Sequence, residues 1–209
     1  MNQPPPPDWP ANGWPLDQMT RWLKAQIRNH GLEINHETPF TLASGQTSPY
    51  YLDLRRVLSA RRALRVVGAW MNTRIHRMGG PDEIHDVGGM ETGAIGIAAA
   101  VSAMSPSFHS LGWFYVRKAV KEHGARNRLE GLRGAERKSV VLVEDVVTTG
   151  ESLAQAAEVV MGAGAEVVAA LAIVDRCQSL RRGLSAEIPL FAMYTLGQII
   201  AEPEEVPEW

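Results

Sequence analysis

The 209-residue sequence has a single cysteine, Cys177, which excludes an internal disulfide and any cysteine-rich zinc site. It has no long apolar run: a stretch such as residues 167–174 is far shorter than the ~18 residues that a membrane span needs. The segment before Arg21, the first basic residue, is rich in proline and lacks the features of a secretory signal peptide. These absences predict a cytoplasmic protein with no membrane partner.

Positive charge is not in excess either, because 21 Lys and Arg residues stand against 23 Asp and Glu residues, a net charge of −2. A protein that coats nucleic acid needs surplus basic residues to neutralise phosphates, so we expect no nucleic-acid partner. A small anionic ligand needs only a local cluster of cations and is not excluded. The sequence contains no GxxxxGK[ST] and no GxGxxG motif, so the common nucleoside triphosphate and dinucleotide fingerprints are missing.

The first part of the chain has three kinds of segment. Residues 1–15 carry repeated prolines, which predict an extended leader. Apolar residues at helical spacing predict a helix over 16–30. Residues 39–60 contain Ser-Gly and Ser-Pro punctuation, typical of irregular strands and turns.

From residue 61 the pattern becomes regular and predicts an α/β fold with a central, mostly parallel sheet flanked by helices. Its apolar strands do not alternate with polar residues, as is typical of parallel strands buried on both faces. The charged stretch 117–138 has little periodicity and is predicted to be a long mobile excursion, which in enzymes often covers a site. The predicted helices are 61–78, 93–104 and 151–162, and the predicted strands are 84–87, 111–116, 140–143, 167–174 and 188–195.

The most informative stretch is VVLVEDVVTTGES, residues 140–152. Its apolar strand is followed by Glu144 and Asp145, at the strand end where ligands bind in open α/β sheets. The turn that follows opens a helix, and its N–H groups, hydroxyls and helix dipole favour an anion. Acids and anion are compatible if the acids hold sugar hydroxyls while the turn holds the phosphate. The alternative is that Thr or Ser is simply the N-cap of the helix.

This stretch resembles the phosphoribosyl pyrophosphate (PRPP) signature of type I phosphoribosyltransferases. Three further segments narrow the resemblance to the orotate phosphoribosyltransferases: FTLASGQTSPYY at 40–51, RKAVKEHG at 117–124, and VDR at 174–176. The resemblance spans roughly residues 38–200. It implies the type I phosphoribosyltransferase fold as a single domain over 16–209, with a small hood subdomain at 16–60, a core at about 61–200 and an acidic tail at 202–209.

The resemblance also implies an activity, a cofactor and a partner. The phosphoribosyl group of PRPP would pass to orotate, giving orotidine 5′-monophosphate and pyrophosphate in pyrimidine biosynthesis. Magnesium would be carried by PRPP instead of being held directly by the protein. The loop at 117–124 reaches the neighbouring subunit's active site in this family, so a homodimer is implied.

Individual roles carry over by the same resemblance. The catalytic residues would be Lys121, His123 and Asp145. The residues expected to bind PRPP are Arg117, Lys118, Lys121, His123, Glu144, Asp145, Val146, Val147, Thr148, Thr149, Gly150, Glu151 and Ser152. A Gly-rich turn over 87–93 would contact pyrophosphate through Gly89, Met90, Glu91 and Thr92, unless its glycines serve only tight packing. The residues expected to bind orotate are Tyr50, Tyr51, Thr148 and Arg176, with the planar fork of Arg176 on the orotate carboxylate.

Four positions depart from the family pattern, since Ala43, Gln46, Thr47 and Thr92 stand where relatives often have basic residues. Phosphate contacts would then shift toward backbone donors and the charged loop. Two alternatives stay open. One is a PRPP-dependent transferase for another base, and the other is a catalytically silent PRPP-sensing regulator.

Overall fold

The computed structural model describes residues 15–42, 45–79, 83–106, 110–119, 128–176 and 184–201. The leader up to residue 14 and the acidic tail lie outside these ranges. So do four residues that are discussed by name above: Ala43, Lys121, His123 and Cys177. Within the described ranges, no helix combines the length and the apolar character that crossing a membrane requires.

The N-terminal part contains the helix predicted at its start and the predicted short strands, followed by a short helix that the sequence did not predict. Helix α1 (Leu16–Gln26) continues into a π-helical turn that ends at Gly31. Strands β1 (Leu32–Ile34) and β4 (Tyr50–Leu52) pair antiparallel, and so do β2 (Phe40–Thr41) and β3 (Thr47–Ser48). Helix α2 is short (Arg55–Leu58).

The remaining part of the chain contains both strands and helices. Its elements are α3 (Arg61–Met78), β5 (Asp86–Met90), α4 (Gly93–Ala103), β6 (Gly112–Val116), β7 (Leu129–Glu130), β8 (Ser139–Val147), α5 (Glu151–Gly162), β9 (Glu166–Asp175), β10 (Leu190–Thr195) and α6 (Leu196–Ile200). Six strands form one sheet in the order β10-β9-β8-β5-β6-β7, in which every pairing is parallel except that of β7 with β6. This mostly parallel sheet confirms the predicted α/β class.

Apolar residues cover both faces of the sheet, which explains why the strands do not alternate. On one face Val141, Val143 and Ile173 pack with residues of α1, α3 and α4. On the other face Leu142 and Ala170 pack with residues of α5. The sheet is therefore held rigidly between helices, and its carboxyl edge is a fixed platform for loops.

Strand β5 differs from the prediction of a strand over 84–87 followed by a Gly-rich turn. The strand runs to Met90, so Gly88 and Gly89 lie inside it and only residues 91–92 form the turn. A Cβ on Gly88 would collide with the Phe114 carbonyl oxygen, and one on Gly89 with that of Val143. Tight packing against the neighbouring strands therefore requires glycine at both positions.

The charged stretch 117–138 is also more ordered at its far end than predicted. Strand β7 pairs antiparallel with β6, and a 3₁₀ turn spans Ala135–Arg137. The Arg117 N–H donates to the Arg128 carbonyl oxygen at 2.8 Å, and the Arg128 side-chain Nε returns a bond of 2.8 Å to the Arg117 carbonyl oxygen. The two ends of the loop are therefore joined at its base.

Candidate active site

The turn between β8 and α5 lines a cavity of about 290 Å³ at the carboxyl edge of the sheet. Glu144, Gln155 and residues 146–153 form its walls. Strand β8 extends to Val147 because it keeps pairing with β9 up to Asp175. Glu144 and Asp145 therefore lie within the strand, whereas the sequence had predicted that they follow it. Glu144, the end of the predicted strand, the turn and the start of the helix thus line one space, and Asp145 lies beside it in strand β8.

The turn itself leaves the start of helix α5 open. Its N-cap residue is Gly150, whose φ of 80° favours glycine and whose lack of a side chain means that no N-cap side chain binds the first turn. The Glu151 N–H makes only a long contact of 3.4 Å with the Thr149 hydroxyl. Because the first N–H groups of a helix have no partner within it, this turn suits an anion better than it suits the simple Thr or Ser cap.

The two acids occupy different environments. Glu144 is only 7% exposed, and burial followed by the charge of Asp145 raises the pKa of its carboxyl well above the usual value. Asp145 is half-buried, and its carboxylate accepts the Val146 N–H at 2.8 Å. The Glu144 carboxyl accepts the Asp145 N–H at 3.3 Å.

Helix α4 begins directly against these acids. A Cβ on Gly93 would lie 2.8 Å from Asp145 Oδ1 and 2.9 Å from Glu144 Oε1, closer than real side chains allow. Gly93 was not among the site residues predicted from the sequence. Its position as the first residue of a helix after a strand and a two-residue turn was the available signal.

The turn that is predicted to contact pyrophosphate meets the base of the charged loop. Glu91 and Thr92 connect β5 to α4, while Gly89 and Met90 are the last residues of β5. The Glu91 carboxylate accepts the Lys118 N–H at 2.9 Å. The positive charge of Lys118 lowers the pKa of Glu144 and so opposes part of the increase that burial causes. Arg117, Lys118, the turn and the acids are thus brought together, whereas Lys121 and His123 lie outside the described residues.

Arg176 connects the N-terminal segment to the sheet edge. Its backbone N–H donates to the Val147 carbonyl oxygen at 2.8 Å. Its guanidinium Nη2 donates to Ser48 Oγ at 3.0 Å and to the Tyr50 carbonyl oxygen at 2.8 Å. Tyr51 packs its ring on Phe40, with 5.5 Å between ring centroids. The predicted orotate residues Tyr50, Tyr51 and Arg176 therefore share one region beside Thr148, which follows Val147.

One further cation lies near this region. Arg55 donates to both carboxylate oxygens of Asp53, with an Nε to Oδ1 distance of 2.8 Å, and this hydrogen bond keeps the pKa of Asp53 below its usual value. The pKa of Arg55 is raised mainly by its hydrogen bond to Asp53, with smaller contributions from Tyr51 and Asp145. Arg55 was not predicted from the sequence, although it follows the Tyr-Tyr motif by only a few residues.

Carboxylate oxygens at the site are suitable ligands for magnesium, a cation that prefers oxygen donors. Among the residues that the structure describes, no group of three or more His, Cys, Asp or Glu side chains is arranged to hold a metal ion. Glu144 and Asp145 can therefore supply part of a coordination sphere and would leave the remaining ligands to a bound phosphate compound or water.

Comparisons with known proteins agree with this geometry. Residues 76–185 match the model of the phosphoribosyl transferase domain family. The orotate phosphoribosyltransferase of Rhodopseudomonas palustris (strain TIE-1) is 37% identical over 165 residues, which cover 77% of this chain and 86% of the relative. That of Aquifex aeolicus (strain VF5) is 33% identical over 180 residues, 85% of this chain and 96% of the relative.

A solved structure supports the same conclusion. The orotate phosphoribosyltransferase of Mycobacterium tuberculosis H37Rv in complex with PRPP superimposes with a TM-score of 0.68 at 27% identity, and the match covers 87% of this chain and 98% of that chain. The family match, the relatives and the fold together confirm the resemblance seen in the motifs. The chain belongs to the phosphoribosyltransferase family, among the orotate phosphoribosyltransferases.

Proposed function

We propose that this protein transfers the phosphoribosyl group of PRPP to orotate in pyrimidine biosynthesis. The orotate N1 forms a bond to ribose C1, the bond from C1 to the pyrophosphate oxygen breaks, and the N1 proton is released. The products are orotidine 5′-monophosphate and pyrophosphate. The observation that carries the proposal is the stretch 140–152, in which Glu144 and the open start of helix α5 line one cavity at the sheet edge, with Asp145 next to Glu144 in strand β8.

The acids and the turn would bind the two ends of the phosphoribosyl group. Breaking the C1 bond develops positive charge on the ribose ring, and Asp145, assisted by Glu144, would hold its hydroxyls and stabilise that charge. The turn from Thr148 to Ser152 would hold the 5′-phosphate through backbone N–H groups and hydroxyls. This division gives each charge of the substrate a partner of opposite sign.

The leaving pyrophosphate needs cations, and the base of the charged loop supplies two of them in Arg117 and Lys118. Lys121 and His123 complete the cluster in the proposal, with His123 as proton carrier or charge stabiliser. Arg55 lies on the side of the N-terminal segment, where Asp53 orients its guanidinium. The hood over residues 16–60 would bring Tyr50 and Tyr51 to the orotate, whose carboxylate Arg176 would bind.

Magnesium is proposed as the cofactor, with Glu144 and Asp145 as the protein groups suited to it and the pyrophosphate as its main ligand. When bound, the ion would neutralise charge on the leaving group. We further propose a cytoplasmic homodimer in which the charged loop of one subunit serves the site of its partner.

A panel of acceptors tests which base is used. Pyrophosphate release is measured with PRPP, magnesium and either orotate, uracil, hypoxanthine or adenine. We expect release with orotate at least about a hundredfold above the other bases, because a site with a fork for a carboxylate discriminates strongly against bases that lack one. Faster pyrophosphate release with another base would identify that base, and not orotate, as the acceptor. PRPP binding without pyrophosphate release with any base would indicate a silent regulator.

A further inference from the structure

Glu91 presents an electrostatic contradiction within the proposed site. It lies in the two-residue turn that the family resemblance assigns to pyrophosphate, yet its carboxylate and a pyrophosphate carry charge of the same sign. Like charges at short range disfavour binding, particularly in a partly desolvated site. A direct contact between Glu91 and pyrophosphate would therefore oppose the proposed function.

The contacts of Glu91 suggest a different use for the carboxylate. Its Oε1 accepts the backbone N–H of Lys118 at 2.9 Å, and its own N–H donates to the Val116 carbonyl oxygen at 2.8 Å. Two hydrogen bonds thus join the turn to the last residue of β6 and to the chain just beyond that strand, 25 and 27 residues further along. A carboxylate that accepts an N–H bond of this length forms a charge-assisted hydrogen bond, which is stronger than one between neutral groups.

The position of Lys118 gives these bonds a consequence for the site. Lys118 is exposed, and its charge acts on buried Glu144, whose pKa it lowers against the effect of burial. The Glu91 bond fixes the backbone of Lys118 and so the point from which this cation reaches toward the acids. If this hydrogen bond did not hold the Lys118 backbone, PRPP binding would have to order it, and the lost conformational entropy would weaken binding.

We propose that Glu91 is a positioning residue that holds Lys118, and with it the base of the charged loop, in place for PRPP, and that it is neither a pyrophosphate ligand nor a magnesium ligand. This inference rests on the proposed PRPP site. In this role the Glu91 carboxylate binds a backbone N–H group, whereas a pyrophosphate ligand would repel it.

Three variants test the role by titration calorimetry of PRPP binding in the presence of magnesium, without orotate. Glu91→Ala removes the acceptor, and we expect it to raise the PRPP Kd about tenfold, the loss of one good hydrogen bond. Glu91→Gln keeps an acceptor oxygen without the charge, and we expect it to restore the Kd to within about threefold of the wild type. Glu158→Ala, an exposed acid on α5 outside the cavity, controls for loss of negative charge.

A double-mutant cycle identifies the partner. In a Lys118→Ala background, Glu91→Ala is expected to raise the PRPP Kd less than about twofold, since the cation that it positions is already missing. In the wild-type background, the same change should raise KM for PRPP far more than it lowers kcat or raises KM for orotate. A general structural role would lower the melting temperature and affect both substrates equally.

Two results would overturn the inference. If Glu91→Gln binds PRPP as weakly as Glu91→Ala does, and both variants need more magnesium for binding, Glu91 is a metal ligand. If Glu91→Ala changes the Kd by the same factor with and without the Lys118 side chain, it does not act through Lys118. Because PRPP binding is measured without an acceptor, wild-type binding without orotate turnover would contradict the proposed acceptor alone and leave this inference standing.

Discussion

At the scale of single residues, the buried Glu144 connects catalysis to stability. Its carboxyl is enclosed at the end of β8 next to another acid, and the pKa of Glu144 is raised because burial disfavours the charged form. A buried acid without a full set of partners costs stability at neutral pH, when the unfolded chain would be ionised. The carboxyl of Glu144 therefore lowers the stability of the fold at neutral pH.

Glu144→Gln should make the protein more stable and less active. The raised pKa means that the wild type loses stability relative to the variant as pH rises above 4.5, the ordinary value for this carboxyl. Below that pH the two proteins should melt together, and at pH 7 the variant should melt higher by about 2–4 °C for each kcal/mol gained. Melting temperatures measured from pH 4 to pH 8 check this, and a constant difference across that range would contradict it.

Arg176 is expected to be specific for the acceptor. Arg176→Ala should raise KM for orotate by about 10–100-fold, the effect of losing a hydrogen bond to a charged group. KM for PRPP should change less than about threefold. Arg176→Lys, which keeps the charge but not the planar fork, should be intermediate. Steady-state kinetics with each substrate varied gives both constants, and equal effects on both would mean that Arg176 only fastens Ser48 and Tyr50 to the sheet edge.

At the scale of secondary-structure elements, the start of helix α4 is fitted to the acids of β8. Gly93→Ala should lower kcat/KM at least about tenfold, because its Cβ would press on both carboxylates. Gly96, in the same helix, is the matched control, since no atom lies within 4 Å of a Cβ placed there. Gly96→Ala should keep activity and add about 0.5–1 kcal/mol of stability. Equal activity of the two variants would show that the acids tolerate the displacement.

The elements predicted well from sequence are those with a strong periodic signal. The unit from β8 through α5 to β9 was predictable because apolar strands, a turn and a helix follow one another without interruption. The predicted end of β5 was wrong because Gly88 and Gly89 resemble turn residues in the sequence. In the structure they lie inside the strand, where neighbouring strands leave no room for a Cβ. Strand β7 was missed because two residues carry no periodic pattern, and only its partner β6 defines it.

At the scale of the whole molecule, the site depends on contacts between distant parts of the chain. Arg176 and Ser48 are 128 residues apart, and Glu91 and Lys118 are 27 apart. Motifs could predict which segments belong to the site, because each segment carries its own residue pattern. They could not predict that Glu91 faces a backbone N–H or that Arg55 is oriented by Asp53, since these contacts exist only after the chain folds.

The proposed homodimer can be tested by mixing two inactive variants, Lys121→Ala and Asp145→Asn. If the charged loop serves the partner's site, a mixed dimer has one site with both groups intact, so random exchange should restore about one quarter of the wild-type sites. If each loop serves its own subunit, no intact site forms. Activity measured after exchange of subunits distinguishes the two, and failure to recover activity in a demonstrated mixed dimer would contradict the proposal.

The most direct test of the account follows the loss of orotate absorbance with the purified wild-type chain. We expect orotate to be consumed only when PRPP and magnesium are both present, with pyrophosphate released in equal amount. Asp145→Asn should lower the rate by at least about a hundredfold without lowering the melting temperature, because the acid acts on the developing charge of the ribose and not on the fold. Well-folded wild-type protein that leaves orotate unchanged under these conditions would contradict the account.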